Sequence, residues 1–386
     1  MLPASLALAS CGVPSSAGEG PPASQNAIPA GNVDAADAFT MEAMGTLDEP
    51  WAMTFVPGME MLVITERGGA IRALDTASGR IMDVGGAPAV AYGGQGGLGD
   101  ITFLPGEDAA NGATRTIYIS FAESGENNTR GAALGRGTFT CDESACAISD
   151  FNVIWRQQPK VSGSGHYSHR LAFSPDGQFL FVASGDRQKM DPAQDTSNTL
   201  GSIVRLLPDG SAAPGNPLSG EAGASDEIWS WGHRNVLGLA FDGQGRLWDL
   251  EHGPRGGDEL NLVEPGRNYG WPVVSNGNHY SGAHIPNHDT RPEFAPPAIS
   301  WNPVIAPGDL IFPDSALFPS LSGKAVATGL SSEALVIVDI ARAKASETAR
   351  YRFGNRLRAV EQGPDGAIWL AEDGAGATLW RLTPRP

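Results

Sequence analysis

Histidine side chains are the first candidates for acid–base chemistry in this chain, because imidazole titrates near neutral pH. His166 stands in the segment VSGSGHYSHRL, where flexible Gly and Ser residues lead into an apolar strand. Such a loop at the mouth of a fold presents its ring to a substrate, so His166 is the candidate general base. His169 and the loop histidines between 279 and 288 are expected to be exposed. None of the seven histidines has the spacing of a zinc protease.

A second candidate for chemistry is the segment HGPRGGDELNLVEPGRNYGWP, from His252 to Pro272. Its glycines expose backbone carbonyls, and Asp258, Glu259 and Tyr269 add further oxygen atoms. Oxygen ligands are what a hard cation such as calcium requires. The spacing is not that of an EF-hand, so a long acidic connection between strands is the alternative interpretation.

Arginines at the beginnings of expected strands form a third group. Arg234 and Asn235 occur in WGHRNVLGLAF, and Arg356 and Arg358 occur in GNRLRAVEQGPDG, where alternation puts both arginines on one side of a strand. The chain has 26 Lys+Arg against 43 Asp+Glu, a net charge of −17. Paired arginines against that background indicate an anionic ligand held by charge-assisted hydrogen bonds, with surface salt bridges as the alternative.

The elements that must position these residues are short strands, because apolar residues alternate or cluster between Gly, Pro, Asp and Asn with no long helical periodicity. Six passages repeat one theme of strand, turn and strand. They predict an all-β fold, a six-bladed β-propeller of four-stranded antiparallel blades, with a pair of β-sandwiches as the alternative. The 50 glycines among 386 residues fit such a number of tight turns. The passages run over 50–74, 97–121, 169–186, 236–253, 307–330 and 356–382.

The first residues read as a targeting segment. MLPASLALASC, residues 1–11, is similar to a bacterial lipoprotein signal that ends in a lipidated Cys11, although no basic residues precede it. Residues 12–38 read as a flexible tether and residues 39–386 as the catalytic propeller domain. An unstructured tail with a chance cysteine is the alternative to a lipid anchor.

The two remaining cysteines, Cys141 and Cys146, occur in CDESAC. Four intervening residues can close a small loop, and an exported protein would oxidise the pair, so we expect a disulfide and a periplasmic location. The strong negative charge excludes nucleic acid as a partner. A monomer or a dimer is compatible with the sequence.

Five of these motifs together resemble the soluble quinoprotein glucose dehydrogenase and aldose sugar dehydrogenase family, over roughly residues 45 to 384. Members of that family are six-bladed propellers that use pyrroloquinoline quinone (PQQ) and calcium. The motifs occur in the family's order: GGQGGLGDITFLP, GHYSHRLAFSPDG, WGHRNVLGLAFD, EHGPRGGDELNLVEPGRNYGWP and GNRLRAVEQGPDG.

The resemblance implies roles for individual residues. His166 is the general base toward the anomeric hydroxyl of a sugar, Gln95 lies beside quinone and substrate, and Arg234 with Asn235 contacts the reactive carbonyl edge of the quinone. For the cofactor, the resemblance also implies contacts of Tyr280 and Trp301 with the quinone ring and of Arg356 and Arg358 with the carboxylates of PQQ. For metals, it implies that the carbonyls of Gly253 and Pro254 bind the calcium of PQQ and that Glu259 and Tyr269 bind a structural calcium.

Two departures from the family pattern stand out. The glucose dehydrogenase branch of the family has a lysine after a leucine where this chain has Gly329-Leu330-Ser331-Ser332, so one cation is missing, and Gly165 replaces an acidic neighbour of the base. The expected activity is oxidation of the C1 hydroxyl of an aldose to a lactone, with an external electron acceptor. The alternatives are a quinone-independent, calcium-dependent lactonase or esterase and a non-enzymatic binding module of the envelope.

Overall fold

The computed structural model describes residues 31–108, 112, 114–142 and 144–385. The predicted all-β class is confirmed, since the helical part is one four-residue helix, α1 (Ala35–Ala38), and a few 3-10 turns. No helix among these residues has the length and apolar character that crossing a bilayer requires. The signal-like segment and Cys11 lie outside the described residues. The 3-10 turns are Glu126–Asn128, Asp191–Gln194, His288–Thr290 and Pro319–Leu321.

Two strands, β1 (Asn32–Asp34) and β2 (Phe39–Asp48), precede the repeating part of the chain. The first two repeating units follow. Unit 1 has β3 (Pro50–Phe55), β4 (Met61–Glu66), β5 (Ile71–Asp75) and β6 (Arg80–Gly85), and unit 2 has β7 (Leu98–Phe103), β8 (Thr114–Ser124), β9 (Arg130–Cys141) and β10 (Cys146–Arg156).

The remaining strands form four further antiparallel units. Unit 3 has β11 (Ser168–Phe173), β12 (Leu180–Ser184), β13 (Ser202–Leu206) and β14 (Ile228–Trp231), and unit 4 has β15 (Val236–Phe241), β16 (Leu247–Glu251), β17 (Asp258–Leu262) and β18 (Ile299–Trp301). Unit 5 has β19 (Pro307–Ile311), β20 (Lys324–Gly329), β21 (Ala334–Ala341) and β22 (Lys344–Arg352), and unit 6 has β23 (Leu357–Gln362), β24 (Ile368–Glu372) and β25 (Ala375–Pro384).

Five hydrogen-bonded sheets contain these units. Units 1 and 2 share one eight-stranded sheet through a short parallel contact in which Cys146 and Ala147 of β10 face Val84 and Gly85 of β6. Strand β2 pairs with β25 and completes unit 6 in the order β2-β25-β24-β23, while β1 adds to unit 5 beside β22. The pairing of β1 with β22 and of β2 with β25 covers strand edges that would otherwise expose unpaired backbone groups.

The units follow one another in a closed circle. The first strands contact each other in the cycle β3, β7, β11, β15, β19, β23 and back to β3. Separate apolar clusters fill the interfaces between each unit and the next, including the interface between unit 6 and unit 1. Burial of both faces of each sheet in this way is the property of a propeller-like fold.

Each of the six strand-turn-strand passages contains the first two strands of one unit. The described fold also includes the end of the expected tether, because Asn32, Val33 and Asp34 pair with β22 and Ala35 is buried. The expected disulfide is present: Cys141 and Cys146 are bonded to each other and lie opposite each other in the β9–β10 hairpin.

Candidate functional site

The cavity at the centre of the circle of units, which we call the main cavity, has a volume of about 240 Å³ and is lined by residues from all six units. A larger groove, of about 780 Å³, lies elsewhere, between units 6 and 1. Its lining residues lie on the first strand of a unit, just before that strand, or just after the second strand, so these positions meet around the centre of the circle. Three of the lining residues are arginines, and none of them is acidic. They are Trp51, Arg67, Gln95, Tyr167, Ser168, His169, Asn235, Leu237, His252, Ala306, Leu330, Arg356 and Arg358.

His166 directly precedes Tyr167, Ser168 and His169, which line the main cavity, and 8% of its own side chain is exposed. Its backbone N–H donates to Gln95 Oε1 at 2.6 Å, and its Nδ1 is 2.7 Å from Asp186 Oδ1. Asp186 also accepts from Trp271 Nε1 at 2.8 Å and from the backbone N–H of Gln188 at 2.8 Å. A carboxylate opposite Nδ1 accepts a hydrogen bond from the Nδ1–H of the neutral ring and leaves Nε2 as the basic nitrogen.

Burial lowers the pKa of His166 below its ordinary value of 6.5, with the hydrogen bond to Asp186 acting in the opposite direction and the charge of Arg234 adding to the decrease. Burial alone would raise the pKa of Asp186, but the hydrogen bonds that it accepts, above all the one from His166, hold it low. At neutral pH the pair is therefore a neutral imidazole backed by a carboxylate, which is the state that a general base needs.

Arg187 holds the loop that carries His166. Its fully buried guanidinium donates to the carbonyl oxygens of Gly163 at 2.7 Å, Gly165 at 2.9 Å and Arg130 at 2.5 Å. The loop is also strained, because His166, Ser168 and His169 have φ values of 47°, 63° and 74°. Left-handed backbone at non-glycine residues is rare and collects at functional sites.

Two further histidines lie beside this base, and one of them corrects an expectation. His169, expected to be exposed, is 2% exposed and lines the main cavity because the first strand of unit 3 faces the centre of the circle. Burial lowers the pKa of His169 and of His252 to about 3, so both are neutral. His288 is also buried, whereas His284 is exposed as expected.

Arg234 and Asn235 are held by one carboxylate, that of Glu251 at the end of β16. Glu251 Oε2 accepts from the backbone N–H of Arg234 at 2.7 Å and from that of Asn235 at 3.4 Å. The Arg234 guanidinium donates to the carbonyl of His252 at 3.2 Å and lies 5.3 Å from the ring of Trp271. Its buried Nε has no hydrogen-bond partner among the described residues, which leaves a donor for a ligand.

Arg356 and Arg358 share the carboxylate of Asp373. Their Nε atoms donate to Asp373 Oδ2 and Oδ1, each at 2.9 Å, and 52% of the Arg356 side chain against 13% of the Arg358 side chain is exposed. Burial alone would raise the pKa of Asp373, but the charge of Arg358 keeps it low. The expected same-side placement of the two arginines is therefore what the structure shows at the cavity.

The loop with Gly253 and Pro254 lines a narrow cavity that shares His252 with the main cavity. A Cβ on Gly253 would lie 2.3 Å from the carbonyl oxygens of Gly256 and Gly257, so only glycine fits this crowded turn. Asp258 fastens the loop, since its carboxyl oxygens accept from Gly253 N at 2.9 Å and from Ala306 N at 2.7 Å. Such a turn of close carbonyls is suited to calcium.

Glu259 and Tyr269 differ in what they offer a metal. The Tyr269 hydroxyl donates to Leu262 O at 2.5 Å and accepts from Glu264 N at 2.9 Å, and the Tyr269 carbonyl is 3.1 Å from His288 Nε2. The hydroxyl is therefore already used inside the protein. Glu259 is buried, and burial beside Glu251 raises its pKa, so a cation would stabilise the ionised form.

The two aromatic residues expected at the quinone have different surroundings. Tyr280 is 72% exposed, and the Arg234 guanidinium lies 5.9 Å from its ring. Trp301 is 1% exposed, packs in the apolar cluster between units 4 and 5, and donates from Nε1 to Glu347 at 2.8 Å. The expectation for Trp301 is corrected: its ring points into the interface between units, because strand alternation directs it away from the cavity.

Several residues of the site were missed from sequence. Asp186 supplies the acidic partner that Gly165 lacks, and it follows the buried strand β12, a position from which an acid reaches the same end of the fold as the base. Arg67 lines the main cavity although no motif marked it. Ser331 donates to Val304 O at 3.2 Å, and the adjacent Leu330 supplies an apolar contact to the cavity.

Comparisons with known proteins find similar sequences. A family model described as "Glucose / Sorbosone dehydrogenase" matches residues 47–381. An aldose sugar dehydrogenase of Escherichia coli, YliI, is 36% identical over 346 residues, which is 88% of this chain and 91% of that protein.

Solved structures are similar as well. A crystal structure of a glucose dehydrogenase has a TM-score of 0.82 at 36% identity and covers 89% of this chain and 99% of its own. The PQQ-bound form of an aldose sugar dehydrogenase from Streptomyces coelicolor has a TM-score of 0.69 at 27% identity, with 90% of this chain and 98% of that chain covered.

Proposed function

Because the chain belongs to the glucose/sorbosone dehydrogenase family, we propose that it is a PQQ- and calcium-dependent dehydrogenase that oxidises the C1 hydroxyl of aldose sugars to lactones. The six units are then the blades of a six-bladed β-propeller, with the reaction at the main cavity. The observation that carries the proposal is His166, a neutral buried base that is hydrogen-bonded to Asp186 and directly precedes three lining residues of a cavity that also has three arginines in its lining.

The residues present fit the cofactor. PQQ is planar and carries three carboxylates, and the cavity is lined by three arginines. Arg234, which directly precedes the lining residue Asn235, adds an unpartnered Nε, and its guanidinium lies 5.9 Å from the ring of Tyr280. Arg356 and Arg358 would hold carboxylates, while Arg234, Asn235 and Gln95 would contact the quinone. The carbonyls of Gly253 and Pro254 would hold its calcium, and Glu259 with the Tyr269 carbonyl would hold a structural calcium. When bound, PQQ with calcium supplies the two-electron acceptor for the hydride from C1.

The protein's own contribution is proton transfer and positioning. His166 Nε2 accepts the proton of the sugar's C1 hydroxyl, and the Asp186 carboxylate stabilises the imidazolium that results. Glu251 keeps the backbone of Arg234 and Asn235 in place, and Arg187 keeps the loop of His166 in place. The cation of Arg234 near the reacting centre stabilises negative charge that develops there.

We further propose an exported, periplasmic protein, in agreement with the disulfide, with Cys11 as the lipid anchor. The electron acceptor is an external carrier. Incorporation of radiolabelled palmitate in the intact chain, and its loss in Cys11→Ser, tests the anchor directly.

Reconstitution tests the function. Metal-free protein is incubated with PQQ, calcium or both, and reduction of a dye is measured with a panel of aldoses, alongside hydrolysis of lactones. Activity that requires PQQ and calcium together supports the proposal. Lactone hydrolysis without PQQ, or no PQQ-dependent change in absorbance, contradicts it.

The calcium loop has a matched pair of variants. Gly253→Ala introduces a Cβ 2.3 Å from neighbouring carbonyl oxygens and should raise the calcium concentration needed for activity at least tenfold. Gly243→Ala in the β15–β16 turn of the same unit meets no atom within 4 Å and should leave it unchanged. An equal calcium requirement in both variants would argue against this loop as the site.

A further inference from the structure

The arginine that no motif marked, Arg67, lies in unit 1 just after the second strand, the same part of a unit in which Ser331 stands in unit 5 instead of the lysine of the glucose dehydrogenase branch. Arg67 directly follows β4, the second strand of its unit, and Leu330-Ser331 directly follows β20, the second strand of its unit. Both Arg67 and Leu330 line the main cavity. The loop after β20 in unit 5 thus lacks the lysine, and the loop after β4 in unit 1, two units further around the circle, has an arginine.

Arg67 is oriented by neighbours on three sides. Its guanidinium donates to Glu49 Oε1 at 2.5 Å and to the carbonyl of Gly94 at 2.5 Å, and it lies 5.5 Å from the ring centre of Tyr92. Gly94 directly precedes Gln95, whose side chain accepts from the backbone of His166. The side chain of Arg67 remains 22% exposed, so it is fixed at the cavity rim yet open to a ligand.

The charges around the main cavity favour an anion with several carboxylates. Arg67, Arg356 and Arg358 line it, and none of the described residues that line it is acidic. The carboxylates that pair with these arginines, Glu49 and Asp373, contact them without being part of the lining. A hydrogen bond from Tyr92 lowers the pKa of Glu49, which stays ionised and keeps Arg67 in one orientation.

We propose that Arg67 binds a carboxylate of PQQ and replaces the cation that the family's lysine would supply at Ser331. This inference rests on the proposed function, because it assumes PQQ as the ligand. Three arginines then face a molecule with three carboxylates, and charge-assisted hydrogen bonds to guanidinium are among the strong ones.

A purely structural role for Arg67 makes a different prediction. If Arg67 only ties Glu49 to the Gly94 carbonyl, loss of either partner should disturb the cavity in the same way. If its charge binds PQQ, removal of the negative charge of Glu49 should leave PQQ binding unchanged or tighter. Glu49→Gln suits this comparison because its amide keeps an oxygen for Arg67, and Tyr92 can accept from its nitrogen.

The experiment is a PQQ titration of the full chain with saturating calcium, followed by quenching of tryptophan fluorescence, so it needs no turnover. Arg67→Gln should raise the Kd roughly tenfold, and Arg67→Lys should recover part of the loss. Ser331→Lys in the Arg67→Gln background should restore binding, because it returns a cation at the family's position. The control is Arg72→Gln, since Arg72 pairs with Glu66 and Asp83 in the same hairpin and does not line the cavity.

Two results would overturn the inference while leaving the proposed function intact. One is wild-type affinity in Arg67→Gln. The other is equal weakening in Arg67→Gln and Glu49→Gln without rescue by Ser331→Lys, which is the structural outcome. Failure of the wild-type protein to bind PQQ would overturn the proposed function itself and the inference with it. Unchanged melting temperatures show that each variant is folded.

Discussion

Two sets of side chains beside the same cavity use one arrangement, a cationic type of side chain on a carboxylate, with opposite results. In the first, the pair His166 and Asp186 is hydrogen-bonded; in the second, the arginine pair Arg356 and Arg358 is hydrogen-bonded to Asp373. Burial lowers the pKa of His166 and of Arg358 alike, but their ordinary values are 6.5 and 12.5. The histidine therefore loses its charge near neutral pH and the arginine keeps it.

This difference separates chemistry from binding within one site. The histidine pair provides a basic nitrogen that gains charge only during the reaction, whereas the arginine pair provides permanent charge for an anionic cofactor. Variants of the first pair should change turnover, and variants of the second should change cofactor affinity. The following substitutions test that separation, beginning with the largest effect.

His166→Gln removes the base and should reduce kcat by about 10³-fold, within the range that general base catalysis contributes. The Kd for PQQ should change little, because the arginines remain. Steady-state kinetics at saturating PQQ and calcium measures this loss. The control is His284→Gln at an exposed position, which should keep wild-type activity; a similar loss in both variants would end the assignment of the base.

Asp186→Asn should reduce kcat by about 10²-fold and shift the pH profile. Because burial lowers the pKa of His166, wild-type kcat/KM should be level above pH 6.5 and fall at lower pH as the imidazole is protonated. The Asp186 hydrogen bond raises this pKa, so its loss moves the acid limb further down in pH. A limb that moves upward in Asp186→Asn would contradict the proposed pairing.

Arg358→Gln should weaken PQQ binding roughly tenfold and leave kcat at saturating PQQ within about twofold of wild type. The physical reason is loss of a direct contact to a cofactor carboxylate, whereas the proton acceptor His166 and its partner Asp186 are unchanged. A fluorescence titration of PQQ and the kcat at saturation measure the two quantities separately. Arg381→Gln, at a half-buried arginine that pairs with Asp365 and Glu42 and does not line the main cavity, should change neither.

Trp301→Phe should have the smallest effect on function, with PQQ affinity and kcat both close to wild type. Its indole N–H donates to Glu347 inside the interface of units 4 and 5, so the substitution should lower the free energy of unfolding by about 1–2 kcal/mol. Chemical denaturation and a PQQ titration report the two quantities. A strong loss of PQQ affinity at unchanged stability would restore the quinone contact that the structure argues against.

The sequence predicted the local parts of this fold better than the long-range ones. The first two strands of every unit follow from alternation and turn residues that lie within a few positions of each other. The pairing of β2 with β25 joins residues more than 300 positions apart, and no local pattern encodes it. Residues 32–38, expected in the tether, pack on the fold for the same reason.

The site shows the same limit. His166, Arg234, Arg356 and Arg358 belong to distinctive motifs, but Asp186 lies 20 positions from His166 and meets it only after two loops of unit 3 come together. Whether a ring near the end of a strand faces the cavity or the core depends on the side of the strand from which it projects. Register and twist set that side, and for this reason His169, expected to be exposed, lines the cavity and Trp301, expected at the quinone, lies in the core.

The most direct test of the central claim is the rate of aldose oxidation by the protein reconstituted with PQQ and calcium, measured with ordinary glucose and with glucose deuterated at C1. Removal of hydrogen from C1 with proton acceptance by His166 predicts PQQ-dependent oxidation that is slower with the deuterated sugar and reduced about 10³-fold in His166→Gln. Equal rates with both sugars in a single turnover, or oxidation at the wild-type rate in His166→Gln, would contradict the account.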